Sequence, residues 1–512
     1  MLQKAISLLF KRVTVVGTAI VAQLILLLLM LLRFQEYFIY FYALNILISI
    51  VAVLYIISSK LNPAYKIAWI IPILLVPVFG GLIYLLFGGN KLSAHERKKM
   101  ARLKRCFRNI HLVRFESLEA IDRLSPDAAN QSRYILGTAG SPPFQNTSVE
   151  YLPSGEAKFQ RMLEELEKAR HYIFLEYFII QEGKMWNSIL EILERKAREG
   201  LDARVMYDDV GCLLTLPTHY RQVLEEKGIR CCVFNPFVPV LSTRLNNRDH
   251  RKICVIDGHT GFTGGINLAD EYINAYEKHG HWKDTAVLLH GDAVWGLTVM
   301  FLSLWDYVSG SQEDFSLYLP RVHQLSPIPC DGFVQPYTDS PLDDEPVGET
   351  VYLNLINKAK RYVYITTPYL ILSNEMITAL RTAAKSGVDV RIITPHIADK
   401  WYVHVLTRAY YESLVEAGVK IYEYTPGFIH AKSFTVDDEL GVVGTINLDF
   451  RSLYLHFECA VWLYRCRCIE DMRKDFLRTQ AVSQEITLQQ CRAVRLPTRL
   501  LRSVLRLFAP LM

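Results

Sequence analysis

The ten cysteines are scattered through 512 residues without a Cys-x-x-Cys pair or any zinc-ligand spacing. This argues against a zinc ribbon and fits reduced, partly buried thiols facing a reducing compartment. Charge is also missing, and in long stretches: residues 13–32, 37–59 and 67–90 contain no Asp, Glu, Lys or Arg. About 20 uncharged apolar residues cross a hydrocarbon core as a helix. A signal peptide has a single, shorter apolar region and no second and third run behind it. The composition, 51% hydrophobic, is apolar for a soluble protein of this length. The three runs therefore predict a membrane anchor over residues 1–90, built from two or three transmembrane or shallow helices.

The third run carries Pro72, Pro77 and Gly80-Gly81. A membrane helix tolerates these when neighbours satisfy the freed backbone groups, and they also allow a segment that does not span. Lys4, Lys11 and Arg12 precede the first run. Lys91, Arg97, Lys98, Lys99, Arg102, Lys104, Arg105 and Arg108 follow the third, with Glu96 the only acid among them. Basic flanks stay in the cytoplasm. The stronger cluster places everything after residue 90 there, on a multi-pass protein of the cell membrane. It also gives residues 91–148, the basic connecting region, an attraction for anionic lipid heads.

Beyond residue 148 the chain contains a repeat. Residues 250–267 read HRKICVIDGHTGFTGGIN and residues 430–447 read HAKSFTVDDELGVVGTIN. The shared pattern is H-x-K-x4-D-x6-G-x2-N. Upstream of each copy lies an apolar stretch with strand character, Tyr172–Glu176 and Tyr362–Thr366, then a helical segment and a second strand at 203–207 and 388–393. Alternating strand and helix in two similar copies predicts an α/β layer fold. Five prolines and the acidic run Asp343-Asp344-Glu345 mark 326–347 as a linker. The first copy then covers 149–325 and the second 348–484.

The repeated residues suit a phosphate diester. His250 and Lys252, and likewise His430 and Lys432, sit two apart on a strand and face one way. Gly264-Gly265 and Gly444-Thr445 permit close backbone approach, and Asn267 and Asn447 add amide donors. Two copies face to face give two histidines, two lysines and two asparagines, with no carboxylate cluster for a metal. Lysine and imidazolium can neutralise phosphoryl oxygens. One histidine must be neutral to attack phosphorus, the other protonated to release the leaving oxygen. A carboxylate behind each fixes its tautomer, and Asp284 and Glu458 are the candidates. Asp257 and Asp437 sit just before a turn, where a structural cap and a catalytic role are both open.

These residues resemble the paired HKD motifs of the phospholipase D superfamily over residues 150–480. Asn247–Lys252, Phe262–Asn267, Thr367-Pro-Tyr369 and Asn447–Ser452 are similar to bacterial cardiolipin synthases, as is Asn62–Asn90 to their N-terminal membrane region. The resemblance implies two phospholipase D-like α/β/α repeats in a pseudo-two-fold arrangement. It implies phosphatidyl transfer between two phosphatidylglycerol molecules through a phosphohistidine, with no cofactor or metal, in the bacterial inner membrane. It also implies His250, Lys252, Asp257, His430, Lys432 and Asp437 as catalytic residues, with His250 as nucleophile and His430 as general acid, an order that near-symmetry allows to be reversed. Asn267 and Asn447 would hold the phosphate. Glu458 matches the carboxylate that orients the second histidine. Asp284 is assigned to the first, although it lies 34 residues beyond His250 and Glu458 only 28 beyond His430. Spacing alone does not separate transfer from hydrolysis by a phospholipase D-type phosphodiesterase. The anchor favours lipid over nucleic acid. Finally, Arg492, Arg495, Arg499, Arg502 and Arg506 recur at near-helical spacing over 485–512, predicting a basic amphipathic helix that lies on an anionic membrane or packs on the catalytic part.

Overall fold

Tyr172–Tyr177 and Tyr362–Thr366 are buried at every position, as near-continuous apolar strands at the parallel centre of a sheet should be. In the computed structural model each seeds one half of the molecule. The structure describes residues 38–59, 62–75, 115–237, 246–319, 331–342 and 345–511, with single positions 21, 25, 28, 29, 84 and 328. The basic cluster at 91–108 and nearly all of the first apolar run lie outside the described residues.

The strands in chain order are β1 (Thr147–Leu152), β2 (Tyr172–Tyr177), β3 (Asp202–Asp208), β4 (Arg230–Phe234), β5 (Arg248–Asp249), β6 (Lys252–Ile256), β7 (Thr260–Gly264), β8 (His281–Lys283) and β9 (Ala286–Gly291) in the first half. The second half holds β10 (Phe333–Asp339), β11 (Tyr362–Thr366), β12 (Asp389–Pro395), β13 (Lys420–Tyr424), β14 (Gly427–Ile429), β15 (Ser433–Val436), β16 (Leu440–Gly444), β17 (His456–Tyr464) and β18 (Ser483–Ile486). The first sheet runs β1-β9-β7-β6-β2-β3-β4 and the second β10-β17-β16-β15-β11-β12-β13, extended by β18. The two orders are the same, with β2-β3-β4 and β11-β12-β13 parallel. The sheets join in one buried cluster, in which Ile253, Val255, Val287 and Leu289 meet Val443, Cys459 and Val461. The eight described cysteines are free and buried.

Two connecting regions are more structured than their sequences suggest. The stretch 326–347 contains an edge strand, β10, paired along its length with β17 and bridged on its outer side at Val334 to Phe144. Pro336 is tolerated there because an edge strand can spare one ladder donor. Within 91–148, helices Phe115–Leu124 and Pro126–Ala139 pack into the core of the second half through Ile121, Ala128, Ala129 and Ile135. Their low overall apolarity hides a narrow buried stripe, finished by Gln131, which donates to the Val351 carbonyl and accepts from the Trp462 indole.

Five helices bear on the site and its surroundings: α1 (Phe38–Ser58), α2 (Pro63–Leu75), α3 (Trp401–Val415), α4 (Phe450–Tyr454) and α5 (Leu496–Phe508). α1 has 21 residues and no charge, and some of its side chains are outside the described set. Among the described residues no helix is long and apolar enough to cross a membrane. α2 continues through Pro72 and docks on the second half. Tyr65 lies edge-on to Phe450 and Tyr454, at 5.7 and 5.9 Å, and Asn62 donates to the Tyr454 hydroxyl at 2.9 Å.

Candidate active site

The two motifs meet through strands exchanged between the halves. β5, just before His250, pairs with β17, and β14, just before His430, pairs with β8. The His250 amide donates to the Phe457 carbonyl (2.9 Å) and the His430 amide to the Lys283 carbonyl (2.7 Å). Each histidine is thereby set beside the carboxylate of the other half. His250 Nδ1 lies 2.9 and 3.0 Å from the two oxygens of Glu458, and His430 Nδ1 lies 2.7 Å from Asp284 Oδ2. The sequence reading assigned Glu458 to His430 and Asp284 to His250. The structure exchanges these partners, because chain order carries no trace of β5 pairing with β17 and β14 with β8 across the halves.

Both carboxylates are fully buried and are seated differently. A Cβ at Gly265 would come within 2.1 Å of Asp284 Oδ1, so the missing side chain is the room the carboxylate occupies. At the corresponding position of the second copy, Thr445 donates its hydroxyl to Glu458 Oε2. Gly264, at φ 151°, brings the chain against β9, where a Cβ would meet Thr285 O at 2.4 Å.

Each lysine turns back on its own motif. Lys252 Nζ donates to the His250 carbonyl at 2.5 Å, and Lys432 Nζ donates to the His430 carbonyl. Asn267 Oδ1 accepts from the Ile179 amide (3.0 Å) and Nδ2 donates to the Tyr272 hydroxyl (2.7 Å). Asn447 Oδ1 is buried without a partner. The preceding carbonyls are held by dissimilar groups in equivalent places: Lys158 Nζ reaches Ile266 O at 3.0 Å, and the Tyr352 hydroxyl reaches Ile446 O at 2.9 Å.

Packing four cationic or basic groups in a buried space depresses all of them. Burial, with Lys252, His456 and Lys432 nearby, pushes His250 well below the usual imidazole range. Burial and Lys432 lower His430 to about 4, against the pull of Asp284. Burial brings Lys252 down to about 8 and Lys432 to about 7. Burial alone would raise Asp284, but His430 and Lys432 hold it below the usual carboxylate range. Burial raises Glu458 well above that range, opposed by Lys252. The site's own residues are therefore short of negative charge, and a bound anion would favour the protonated lysines and one imidazolium.

Asp257 and Asp437 do not belong to this site. Each lies at the far end of a strand that begins near the motif lysine, about 16 Å away at ~3.3 Å per residue. Asp257 accepts from the amides of Arg170, His171 and Tyr172 at 2.7–2.9 Å. Asp437 accepts from Lys360, Arg361 and Tyr362 at 2.6–2.8 Å. Both have positive φ, 51° and 56°, and cap the turn that starts β2 or β11. Their place in the motif reflects folding, not chemistry. Asp257→Ala strands three backbone donors and is expected to cost about 2–4 kcal/mol. A lower thermal midpoint, with turnover per folded molecule within about threefold, is the expected result. Loss of turnover at an unchanged midpoint would overturn this.

Gln335 also belongs elsewhere. Its amide donates to the Ser132 and Ser141 carbonyls. Conversely, several site residues escaped the sequence reading. Phe178 lies 5.1 Å from the His250 ring and His456 5.5 Å, while Tyr272 and Trp282 each lie 5.6 Å from the His430 ring. His456 and Trp282 precede Glu458 and Asp284 by two residues each, so the repeated register held the signal. Both ring nitrogens of His456 are buried without partners, and its Nδ1 is 3.7 Å from Glu458. His250, His456 and Glu458 bring ligand atoms within 4.8 Å of one another, a spacing that fits a cation. Lys252 beside them opposes one.

The sequence and the fold have known relatives. The family model described as the phospholipase D-like domain of cardiolipin synthase matches residues 162–285 and 352–480. The cardiolipin synthase of Geobacillus kaustophilus (strain HTA426) is 37% identical over 91% of this chain and 92% of its own. The chain belongs to the cardiolipin synthase family. A second member, from Halalkalibacterium halodurans, is 34% identical over 92% of this chain and 94% of its own. An uncharacterized protein of Streptococcus mutans is 45% identical over 90% and 99%. A model described as a phospholipase D-nuclease N-terminal region matches residues 47–89, which take in the second half of α1 and all of α2. The phosphatidylserine synthase of Haemophilus influenzae Rd KW20 has the same fold, with a TM-score of 0.55 over 74% of this chain and 97% of its own at 14% identity.

Proposed function

We propose that this chain is a membrane-anchored phosphatidyltransferase that joins two phosphatidylglycerol molecules into cardiolipin and releases glycerol. The observation that carries the reading is the convergence of two histidines, each on a buried carboxylate from the opposite half, in a pocket otherwise supplied with lysines. In the first step His250 Nε2 forms a bond to phosphorus, and the bond from phosphorus to the glycerol oxygen breaks. His430 delivers its proton to that oxygen. In the second step the hydroxyl of another phosphatidylglycerol gives its proton to His430 and bonds to phosphorus as the phosphorus–nitrogen bond breaks. Lys252 and Lys432 balance the charge of the phosphoryl oxygens, and Asn267 and Asn447 line the same cradle. Glu458 and Asp284 fix each Nδ1 and leave Nε2 facing the substrate.

Membrane attachment rests on the N-terminal segments. α1 is uncharged, about 31 Å long at ~1.5 Å per residue, and exposes Tyr40, Leu44, Leu47, Ile50, Val51 and Leu54. That apolar girdle suits lipid contact, with the catalytic halves on the cytoplasmic face.

The test supplies the purified enzyme with phosphatidylglycerol in mixed micelles without added metal. Cardiolipin with equimolar glycerol supports transfer. Phosphatidic acid without cardiolipin would make the protein a hydrolase.

The depressed lysines add a pH signature. Lys432 and Lys252 bind the phosphodiester when charged and lose that charge above about 7 and about 8 in the free enzyme. Since kcat/KM reports the free enzyme, it is expected to fall more steeply as pH rises through 7–8, beyond the decline set by His430 at about 4. Lys432→Arg, whose guanidinium stays charged, should move the limb upward. A profile flat to pH 9 would contradict the assignment.

A further inference from the structure

The C-terminal segment carries an element that the transfer reaction does not use. α5 buries none of its residues fully. Leu505 packs against the second-half core and the Arg506 guanidinium lies 4.9 Å from the Tyr410 ring, so one edge of α5 rests on α3. The opposite side is open. Leu496, Leu500 and Val504 are 68, 60 and 55% exposed and fall within about 80° of arc at 3.6 residues per turn. Exposed Arg495 and Arg499 form the adjoining edge, within about 40°. No Asp or Glu occurs between residues 486 and 512. An exposed apolar strip bordered by uncompensated arginine does not suit water, and it matches the interface of an anionic leaflet.

Its place in the fold points the same way. The turn after it, Ala509–Leu511, packs on α2 and α4, and α5 itself touches α2. α2 exposes Ile67, Leu74 and Leu75, so the open face of α5 continues a surface that begins at the anchor. We infer that α5 is an interfacial helix. It lays Leu496, Leu500 and Val504 into the headgroup boundary of the cytoplasmic leaflet while its arginines engage anionic lipid. Docked so, α5 orients α3. The loop before α3 carries Asp399, which accepts from the Tyr369 hydroxyl at 2.6 Å, and Lys400, whose charge reaches His456. The helix thus seats the active site against the bilayer that holds its substrate. The inference rests on the reading of α1 and α2 as an anchor.

The experiment uses the full chain in nanodiscs of phosphatidylglycerol or of phosphatidylcholine. An environment-sensitive NBD label is placed at Val504→Cys, with Cys106→Ser and Cys330→Ser to remove competing thiols. Glu226→Cys, exposed on the first half, serves as the water-facing control. In phosphatidylglycerol the label at 504 is expected to shift to the blue and be quenched at least twofold by doxyl lipid. In phosphatidylcholine the quenching should be smaller, and the control should not respond. Arg495→Gln and Arg499→Gln together should erase the difference between the two lipids. A label at 504 as wet as the control would overturn the inference. Shielding without lipid quenching would also overturn it and identify a second copy of the chain as the occupant. Carbonate extraction reads the anchor separately. A chain released by carbonate with a quenched label loses the anchor reading, whereas a retained chain with an unquenched label loses this one.

Discussion

Alanine at His250 or at His430 is expected to lower phosphatidyl transfer by about 10,000-fold or more, with the fold intact. Both side chains are needed in each half-reaction. Without His250 no phosphorus–nitrogen bond forms, and the covalent route is closed. Without His430 the glycerol oxygen leaves as an unassisted alkoxide, and general acid help alone is worth roughly 100- to 10,000-fold. The two losses differ in what accumulates. With acyl-labelled phosphatidylglycerol, quenched in base because a phosphohistidine is acid-labile, His430→Ala should still trap labelled protein slowly. His250→Ala should trap none. The opposite outcome keeps the chemistry and exchanges the two roles, as the pseudo-two-fold symmetry allows. More than a tenth of wild-type transfer in either variant would remove the histidines from the mechanism.

The sequence carried the fold because its signals were local. An uninterrupted apolar run such as Tyr362–Thr366 has few structures available to it, and the observed strand has those bounds. The H-x-K pairs and Asn267 and Asn447 were legible because the pattern occurs twice at fixed spacing. What escaped depends on contacts across the chain. Asp257 looks catalytic beside His250 and Lys252, but β6 carries it to the far end of the sheet, where the amides of Arg170, His171 and Tyr172 claim it. The helices within the connecting region 91–148 were not legible because their buried stripe is completed by β10 and β17, more than 190 residues away. Phe178 and Tyr272 reach the histidines from outside both motifs, so no spacing rule marks them.

The crosswise carboxylates give the second large effect. Glu458→Gln and Asp284→Asn are each expected to slow transfer by about 1,000-fold, since a neutral amide neither holds the productive tautomer nor supports an imidazolium. Both replacements conserve shape, so the buried strands should remain in place. The pairing decides which step each one damages. Glu458 sits on His250 Nδ1 at 2.9 Å, so Glu458→Gln weakens attack on phosphorus and should abolish the trapped covalent species, as His250→Ala does. Asp284 sits on His430 Nδ1 at 2.7 Å, so Asp284→Asn slows proton delivery to glycerol and should leave a trappable species, as His430→Ala does. Pairing within each copy predicts the reverse for both variants. The same trapping assay therefore reads the pairing of β17 with β5 and of β8 with β14 across the halves: trapping that follows Asp284 instead of Glu458 would mean that each histidine is served by its own half.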